Sequence, residues 1–364
     1  MASAEEEIRR KACKPNASLE EVSSILRTFW NIEASEISKL DSYDDNNFYI
    51  QEDSTGSKYV LKIYNGAEKK ETIEGFAFLF KWLETQLSSY LFPRIVTSST
   101  HSSPSSSDIQ YIHIQNTKLQ HGVRLFRWIE GVPLNTCTGN LEIFTQIGVL
   151  LAQLQLSLQG FEHASFHRMH AWDIQYFAQN IASFLPSVLE EDIRSVIEKT
   201  LTYFNHTLLP DAPLFRRSVI MGDCNDANII LLQSENESAK VIGLIDFGDA
   251  VLTWSMNDLA TAMCYSLLTP FGREHPIDTL KALFLSYHSI SPLLRVEIKH
   301  LKVVIMLRLS LSIAIGAYSI AQSPMDEYLK LHAIPAKKAI LFMDSLADTF
   351  FIDLLPVDNG NSSV

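Results

Sequence analysis

Residues 221–228 have the sequence M-G-D-C-N-D-A-N, and residues 245–249 have the sequence I-D-F-G-D. Short apolar segments flank both, at residues 217–221, 229–232 and 240–245. Their length and their content of β-branched residues predict three short strands. Polar groups buried beside such strands are costly unless something binds them. The two segments are therefore the predicted functional centre of the chain.

Three side chains in these segments lie at predicted strand ends, with the spacing that phosphoryl transfer requires: Asp223, Asn228 and Asp246. In such a site one Asp accepts the proton of the attacking hydroxyl, an Asn offers an oxygen to Mg²⁺, and a second Asp bridges the metal to the nucleotide phosphates. We expect Asp223 to be the catalytic base, with Asn228 and Asp246 as the Mg²⁺ ligands. A loop of Asx turns explains an isolated Asp–Asn pair, but three such residues at this spacing favour kinase chemistry.

The pattern G-D-x-N-D-x-N followed by I-D-F-G-D resembles the aminoglycoside phosphotransferase and choline kinase superfamily, the small-molecule relatives of protein kinases. Within it, the sequence D-S-Y-D-D-N-N-F at residues 41–48 is similar to the S-Y-D-D-x-N-F of hydroxylysine kinases. The resemblance extends motif by motif from about residue 18 to about residue 262. It implies Mg²⁺, GTP or ATP as phosphoryl donor, and the hydroxyl of 5-hydroxy-L-lysine as acceptor.

The resemblance and the residue pattern leave other functions open. A sister kinase would act on choline, ethanolamine, homoserine or an aminoglycoside. A catalytically silent nucleotide-binding scaffold is favoured by Met221, because most superfamily members have His at that position. Met fills the volume of a His but lacks its strong donor, which predicts a less rigid catalytic loop with no catalytic atom lost.

Lys62 is the single cation of the apolar segment 59–63. On a small-lobe strand it is placed to pair with nucleotide phosphates, although a Lys that deters sheet pairing at a strand edge is the alternative. We expect its partner, before phosphates bind, to come from the following helix. Glu74 is the first choice and Glu71 the second, and both are also compatible with a solvated helix face.

The segment between residues 37 and 49, where protein kinases have a glycine-rich loop, contains no glycine. Ser42 is the first candidate for a donor to phosphate there, and Asn46 and Asn47 are the others. Asp44 and Asp45 would repel phosphates, so they are expected to shape the loop or to face the substrate ammonium. A polar β-turn is the alternative.

Nucleobase and acceptor contacts are assigned by position. Trp128 and Glu130 lie at the predicted connection between lobes, where backbone groups would pair with the base edge. An amine-bearing acceptor needs carboxylates and aromatic faces, for which the candidates are Asp226, Asp249 and Trp254. An amino-acid acceptor also needs a cation for its carboxylate. Arg308 is a candidate, with a buried Arg–carboxylate pair as the alternative.

The predicted fold is α+β and bilobal, like that of protein kinases. Residues 1–130 are expected to form a nucleotide-binding lobe with a five- to six-stranded antiparallel sheet that includes strands at 91–96 and 109–114. Residues 131–364 are expected to form a mainly helical lobe for catalysis and substrate binding, with helices that include 172–184 and 336–351. A chain of 364 residues is long for a single core.

Composition limits the partners and the compartment. The net charge of −12 argues against nucleic acid or an anionic membrane as the main partner. Four cysteines without C-x-x-C spacing and an acidic N-terminus indicate a cytoplasmic protein. Residues 303–320 are strongly apolar, but Arg308 lies inside them and predicts a buried helix of the larger lobe.

Overall fold

The computed structural model describes residues 4–99, 108–114, 118–233, 238–325 and 333–356. Most of the serine-rich loop expected at 97–108, and the polar tail expected at 356–364, lie outside these ranges.

The strands are β1 Ala34–Leu40, β2 Asn46–Glu52, β3 Lys58–Ile63, β4 Gln110–His113, β5 Gln120–Arg127, β6 Val132–Pro133, β7 Arg217–Ile220, β8 Ile229–Leu232, β9 Lys240–Leu244 and β10 Val251–Trp254. The α-helices are α1 Ala4–Ala12, α2 Leu19–Trp30, α3 Lys70–Gln86, α4 Leu141–Ser157, α5 Phe177–Ile181, α6 Glu191–Tyr203, α7 Leu209–Asp211, α8 Asn257–Ser266, α9 Pro270–Glu274, α10 Pro276–Ile290, α11 Arg295–Gln322 and α12 Ala333–Ser345.

The first lobe is built on an antiparallel sheet with the order β1-β2-β3-β5-β4. Side chains alternate along β3, so that Tyr59, Leu61 and Ile63 are buried in a core shared with α2. Lys62 therefore belongs to the opposite face of the sheet, which is the face that the sequence assigns to the nucleotide.

Helix α2 begins at a capping box. The Ser18 hydroxyl accepts from the Glu21 amide at 3.2 Å, and a Glu21 carboxylate oxygen accepts from the Ser18 amide at 2.8 Å. Both donors are otherwise unsatisfied at a helix start, which is why this sequence pattern fixes the boundary. The sequence S-L-E-E at residues 18–21 predicts this start, and the structure confirms it.

The second lobe is mainly helical and holds two small sheets. Strands β7 and β10 pair with each other, and β8 lies between β6 and β9. Helix α11 is long and apolar enough to cross a membrane by length and composition, but 72% of its most apolar window is buried inside the protein. The prediction of a buried large-lobe helix is confirmed, and the sheet lobe followed by a helical lobe is the α+β arrangement expected.

Three predicted elements are wrong in detail. Residues 91–96 make only isolated bridges, Leu91 to Gly243 and Ile95 to Phe126, because Pro93 cannot donate to a ladder. The helix predicted at 172–184 is a 3₁₀ turn, Ile174–Tyr176, followed by the short α5. The last helix, α12, ends at Ser345 rather than at residue 351.

Candidate functional site

The predicted catalytic residues converge where β8 and β9 meet. Residues 221–228 connect β7 to β8, and Asp246 follows β9 by two residues. The Ile245 amide donates to the Asn228 carbonyl at 3.0 Å, one residue beyond the pairing of Ile229 with Leu244. Asn228 and Asp246 are thus brought to the same end of this strand pair. Their amide and carboxylate oxygens are ligand types that suit Mg²⁺.

Both carboxylate oxygens of Asp223 accept hydrogen bonds. Arg308 Nη2 donates to Oδ1 at 2.8 Å, while Asn225 Nδ2 and Asn228 Nδ2 donate to Oδ2 at 2.8 and 3.1 Å. Burial raises the pKa of Asp223 to about 8 against the opposing effect of Arg308, and Asp249 adds to the rise. These donors fix the orientation of the carboxylate, as a general base requires.

Asp258, at the start of α8, anchors the backbone of residues 221–228, the predicted catalytic loop. Its two carboxylate oxygens accept from the amides of Met221 and Gly222 at 2.9 and 2.8 Å. Met221 is fully buried, and the Cys224 thiol lies 3.4 Å from its sulfur. The predicted loss of loop rigidity at Met221 is thus offset, because the loop is held through its backbone. The structure therefore shows Asp258 bracing this loop through two backbone amides.

Lys62 pairs with two aspartates. Its Nζ atom lies 2.8 Å from Asp45 Oδ2 and 3.0 Å from Asp246 Oδ1. The expected partner Glu74 is wrong: its carboxylate is half-buried and lies 3.8 Å from Lys70 Nζ. Although burial acts the other way, Lys62 lowers the pKa of Asp246.

The backbone of Asp246 has φ +56°, in the left-handed region that non-glycine residues rarely adopt. Such strained residues cluster at functional sites, where the surrounding structure holds them in place. The strain is consistent with the metal-ligating role expected of Asp246 from the sequence.

The glycine-free loop after β1 is fixed by its own polar side chains. The Ser42 hydroxyl accepts from the Asp45 amide at 3.1 Å, and Asp45 accepts from the Asn65 amide at 2.8 Å. Asp44 accepts from Arg10 Nε at 2.5 Å. These contacts show Asp44 and Asp45 shaping the loop, and their contact with a substrate ammonium stays a prediction. The phosphate contact expected of Ser42 stays a prediction.

A chain of charges links α1 to the segment after β9. Arg10 Nη2 lies 2.7 Å from Glu68, and Glu68 lies 3.5 Å from Arg168 Nη1. Arg168 Nη2 donates to the Gly248 carbonyl at 2.5 Å. These residues could not be identified from the sequence, because ion pairs between distant segments leave no periodic signal along a chain.

The three acceptor candidates differ in their environments. Asp249 lies 3.5 Å from His170 Nε2, and burial lowers the pKa of His170 well below its usual value. Asp226 is buried within the catalytic loop, and its carbonyl accepts from the Asn135 amide. Trp254 is wrong as a substrate contact, because its ring is buried in the core and packs edge-on against Phe215 with centroids 5.2 Å apart.

Arg308 lies between two aromatic rings. Its guanidinium carbon is 4.6 Å from the ring centroid of Trp172 and 5.4 Å from that of Tyr265. Arg308 was a candidate from its sequence context, whereas Trp172 was not identified from the sequence. The Arg–carboxylate pair proposed as the alternative exists, and its carboxylate is that of Asp223.

The two residues assigned to the nucleobase lie at the end of the sheet. The Trp128 ring packs edge-on against Tyr49 with centroids 5.1 Å apart, and its amide donates to the Lys58 carbonyl. Glu130 is exposed and lies 2.9 Å from Lys58 Nζ. Their contact with a nucleobase stays a prediction.

Comparison with known proteins agrees with this geometry. Residues 36–293 match the family model APH, described as the phosphotransferase enzyme family. Hydroxylysine kinase of Danio rerio is 26% identical over 334 residues, which cover 88% of this chain and 90% of that protein. Hydroxylysine kinase of Mus musculus is 25% identical over 341 residues, covering 88% of each chain.

Solved structures show the same fold. An amicoumacin kinase in complex with AMP-PNP, Ca²⁺ and Ami superposes with a TM-score of 0.69 at 14% identity, over 97% of this chain and 100% of that one. A microcompartment-associated aminopropanol kinase superposes with a TM-score of 0.61 at 16% identity, over 92% and 98%. The expected kinase-like bilobal fold is confirmed. With the family model matching most of its length, the chain belongs to the phosphotransferase enzyme family and is a kinase with an alcohol group as acceptor.

Proposed function

We propose that this kinase transfers the γ-phosphoryl group of GTP or ATP, with Mg²⁺, to the hydroxyl of 5-hydroxy-L-lysine. The observation that carries the chemistry is the convergence of Asp223, Asn228 and Asp246 at one end of the β8–β9 pair. Lys62 forms an ion pair with Asp246 at the same place. The acceptor is supported by the hydroxylysine kinases that match this chain over 88% of its length.

Asp223 takes the proton of the acceptor hydroxyl in this proposal. A base in phosphoryl transfer contributes mainly by orienting the nucleophile. The donors from Arg308, Asn225 and Asn228 give Asp223 a fixed orientation. Asp249, which lies 3.5 Å from His170 Nε2, is the carboxyl group proposed to meet the acceptor ammonium.

Asn228 and Asp246 would hold Mg²⁺, which supplies charge neutralisation at the phosphates when bound. A magnesium ion usually takes only one or two protein oxygens and completes its shell with water and phosphate. Lys62 would turn from its aspartate partners to the phosphates. Ser42 is proposed to contact phosphate, and Trp128 and Glu130 to lie at the base.

We also propose the boundary between lobes at residues 130/131. Strand β5 of the first sheet ends at Arg127, and β6 pairs with β8 of the second lobe. A cytoplasmic setting is inferred from four cysteines that all carry free thiols.

Turnover by the purified protein tests the function. The assay supplies Mg²⁺ and GTP or ATP with 5-hydroxylysine, choline, ethanolamine, homoserine or kanamycin. Asp223→Asn should lose nearly all turnover, whereas the exposed Asp53→Asn should keep it. Turnover of 5-hydroxylysine above the other acceptors is the expected result. Preference for another acceptor contradicts the proposed substrate, and nucleotide binding without any turnover favours the silent scaffold.

A further inference from the structure

The guanidinium of Arg308 is buried with hydrogen-bonding capacity to spare. The side chain is 2% exposed, and its Nη2 atom donates to Asp223. Its Nε and Nη1 atoms have no hydrogen-bond partner among the residues that the structure describes. A buried donor without an acceptor is costly, and more so when it carries charge.

The position of Arg308 directs these donors to the acceptor side of the reaction. Asp223 is the proposed base, so a group that touches it lies beside the reacting hydroxyl. The rings of Trp172 and Tyr265 hold the guanidinium at 4.6 and 5.4 Å and fix its position. A guanidinium presents two edges that suit a planar carboxylate, and Asp223 takes one oxygen contact through Nη2.

Building on the proposed phosphoryl transfer, we propose that Arg308 is the binding site for the carboxylate of the acceptor. The enzyme then selects amino acids that carry a free α-carboxylate and a side-chain hydroxyl, and discriminates against amino alcohols. One side chain contacts the base and the substrate carboxylate together, which fixes the reacting hydroxyl with respect to Asp223. Asp249, whose carboxylate lies 3.5 Å from His170 Nε2, is the group proposed for the ammonium of the same zwitterion.

Two pairs of acceptors that differ only in the carboxylate test this assignment. They are 5-hydroxy-L-lysine with 1,5-diaminopentan-2-ol, and L-homoserine with 3-amino-1-propanol. The wild type should favour the carboxylate member by about 10- to 100-fold in kcat/KM, the range of a charge-assisted hydrogen bond. Arg308→Gln should abolish most of that ratio, and Arg308→Lys should keep part of it.

The ratio separates substrate binding from the support that Arg308 gives Asp223. A purely supporting role lowers kcat/KM for both members of a pair equally and leaves the ratio unchanged. Lys299→Gln is the matched control, since it removes an exposed cation of α11 that pairs with Asp211. Its ratio should equal that of the wild type.

Calorimetric binding of the same pairs, with a non-hydrolysable nucleotide present, gives a readout independent of turnover. Preference for homoserine over aminopropanol, without use of 5-hydroxylysine, would overturn the proposed acceptor and keep the role of Arg308. If the wild type uses both acceptors of a pair equally, or binds neither of them, the proposed role of Arg308 is wrong. A preference that survives in Arg308→Gln does the same.

Discussion

The Nζ atom of Lys62 lies 3.0 Å from Oδ1 of Asp246, and this contact joins strand β3 of the sheet lobe to the segment after β9. The cation expected at the phosphates and the carboxylate expected at the metal thus neutralise each other. Burial acts to lower the pKa of Lys62, but Asp246 and Asp45 hold it well above its usual value. The Lys62 ammonium is therefore already charged before phosphates bind.

Lys62→Met should impair nucleotide use more than acceptor use. The variant removes the charge that pairs with phosphates, and loss of one such stabilising group costs about 100-fold or more in rate. We expect a raised KM for the nucleotide and a lowered kcat, measured by steady-state kinetics. Lys81→Met, at an exposed position of α3, is the control and should behave as wild type. Unchanged nucleotide kinetics in Lys62→Met would contradict the assignment.

Gly222→Ala should distort the catalytic loop. Gly222 has φ +86°, and a Cβ there would lie 2.4 Å from the Asp249 carbonyl oxygen. Gly160, with φ +82°, has nothing within 4 Å of the same position. Both changes incur the backbone cost of about 1–2 kcal/mol, and crowding adds about 1–3 kcal/mol at Gly222 alone.

Denaturant unfolding of the two alanine variants measures that difference. Gly160→Ala should keep full activity, while Gly222→Ala should lose both stability and turnover. Equal free energies of unfolding for the two variants would show that the contact with Asp249 does not constrain the loop.

The three residues proposed for catalysis and metal binding were predictable because they lie near the ends of three consecutive strands, with Asp223 after β7, Asn228 before β8 and Asp246 after β9. Asp223, Asn228 and Asp246 lie within 24 positions of one another in the sequence, so local patterns fix their neighbourhood. The partner of Lys62 was not predictable in this way. Helix α3 buries the face that carries Ile73 and leaves Glu74 beside Lys70, and sequence periodicity alone did not resolve that rotation.

Contacts between distant segments were beyond sequence reasoning. Arg308 meets Asp223 from 85 residues away. Trp172 reaches the same guanidinium from a turn just before the 3₁₀ helix Ile174–Tyr176, in a segment that was predicted as a helix. Trp254 was misassigned because it follows the catalytic hairpin in sequence, whereas β10 pairs with β7 and its ring packs on Phe215. Packing decides such positions, and packing is a property of the assembled core.

Glu68→Gln should lower stability in a pH-dependent way. Burial would raise the pKa of Glu68, but Arg10 and Arg168 lower it below its ordinary value of 4.5. A depressed pKa means that the carboxylate stabilises the folded state above about pH 4.5, and that this contribution disappears as the pH falls through the folded-state value. The variant should lose about 1–3 kcal/mol near neutral pH.

Unfolding free energies measured from pH 7 to pH 3 test this sign. The gap between wild type and Glu68→Gln should narrow as the solution is acidified. Glu84→Gln is the control, because its carboxylate is half-exposed and lies 3.4 Å from Arg94, a surface pair of small value. A gap that widens toward low pH would contradict the ion-pair account.

Asp258→Asn should loosen the catalytic loop without touching a reacting atom. An Asn has one carbonyl oxygen, so it keeps only one of the bonds to the Met221 and Gly222 amides and turns an NH₂ group toward the other. We expect a loss of about 1–3 kcal/mol in stability and a lowered kcat. Hydrogen exchange at the two amides should accelerate, because a lost acceptor removes protection.

Asp278→Asn makes the same change at an exposed first-turn position of α10 and controls for the helix dipole. If the amides of Met221 and Gly222 remain as protected in Asp258→Asn as in Asp278→Asn, then Asp258 does not hold the loop, and the tolerance of Met221 in place of a donating His needs another cause.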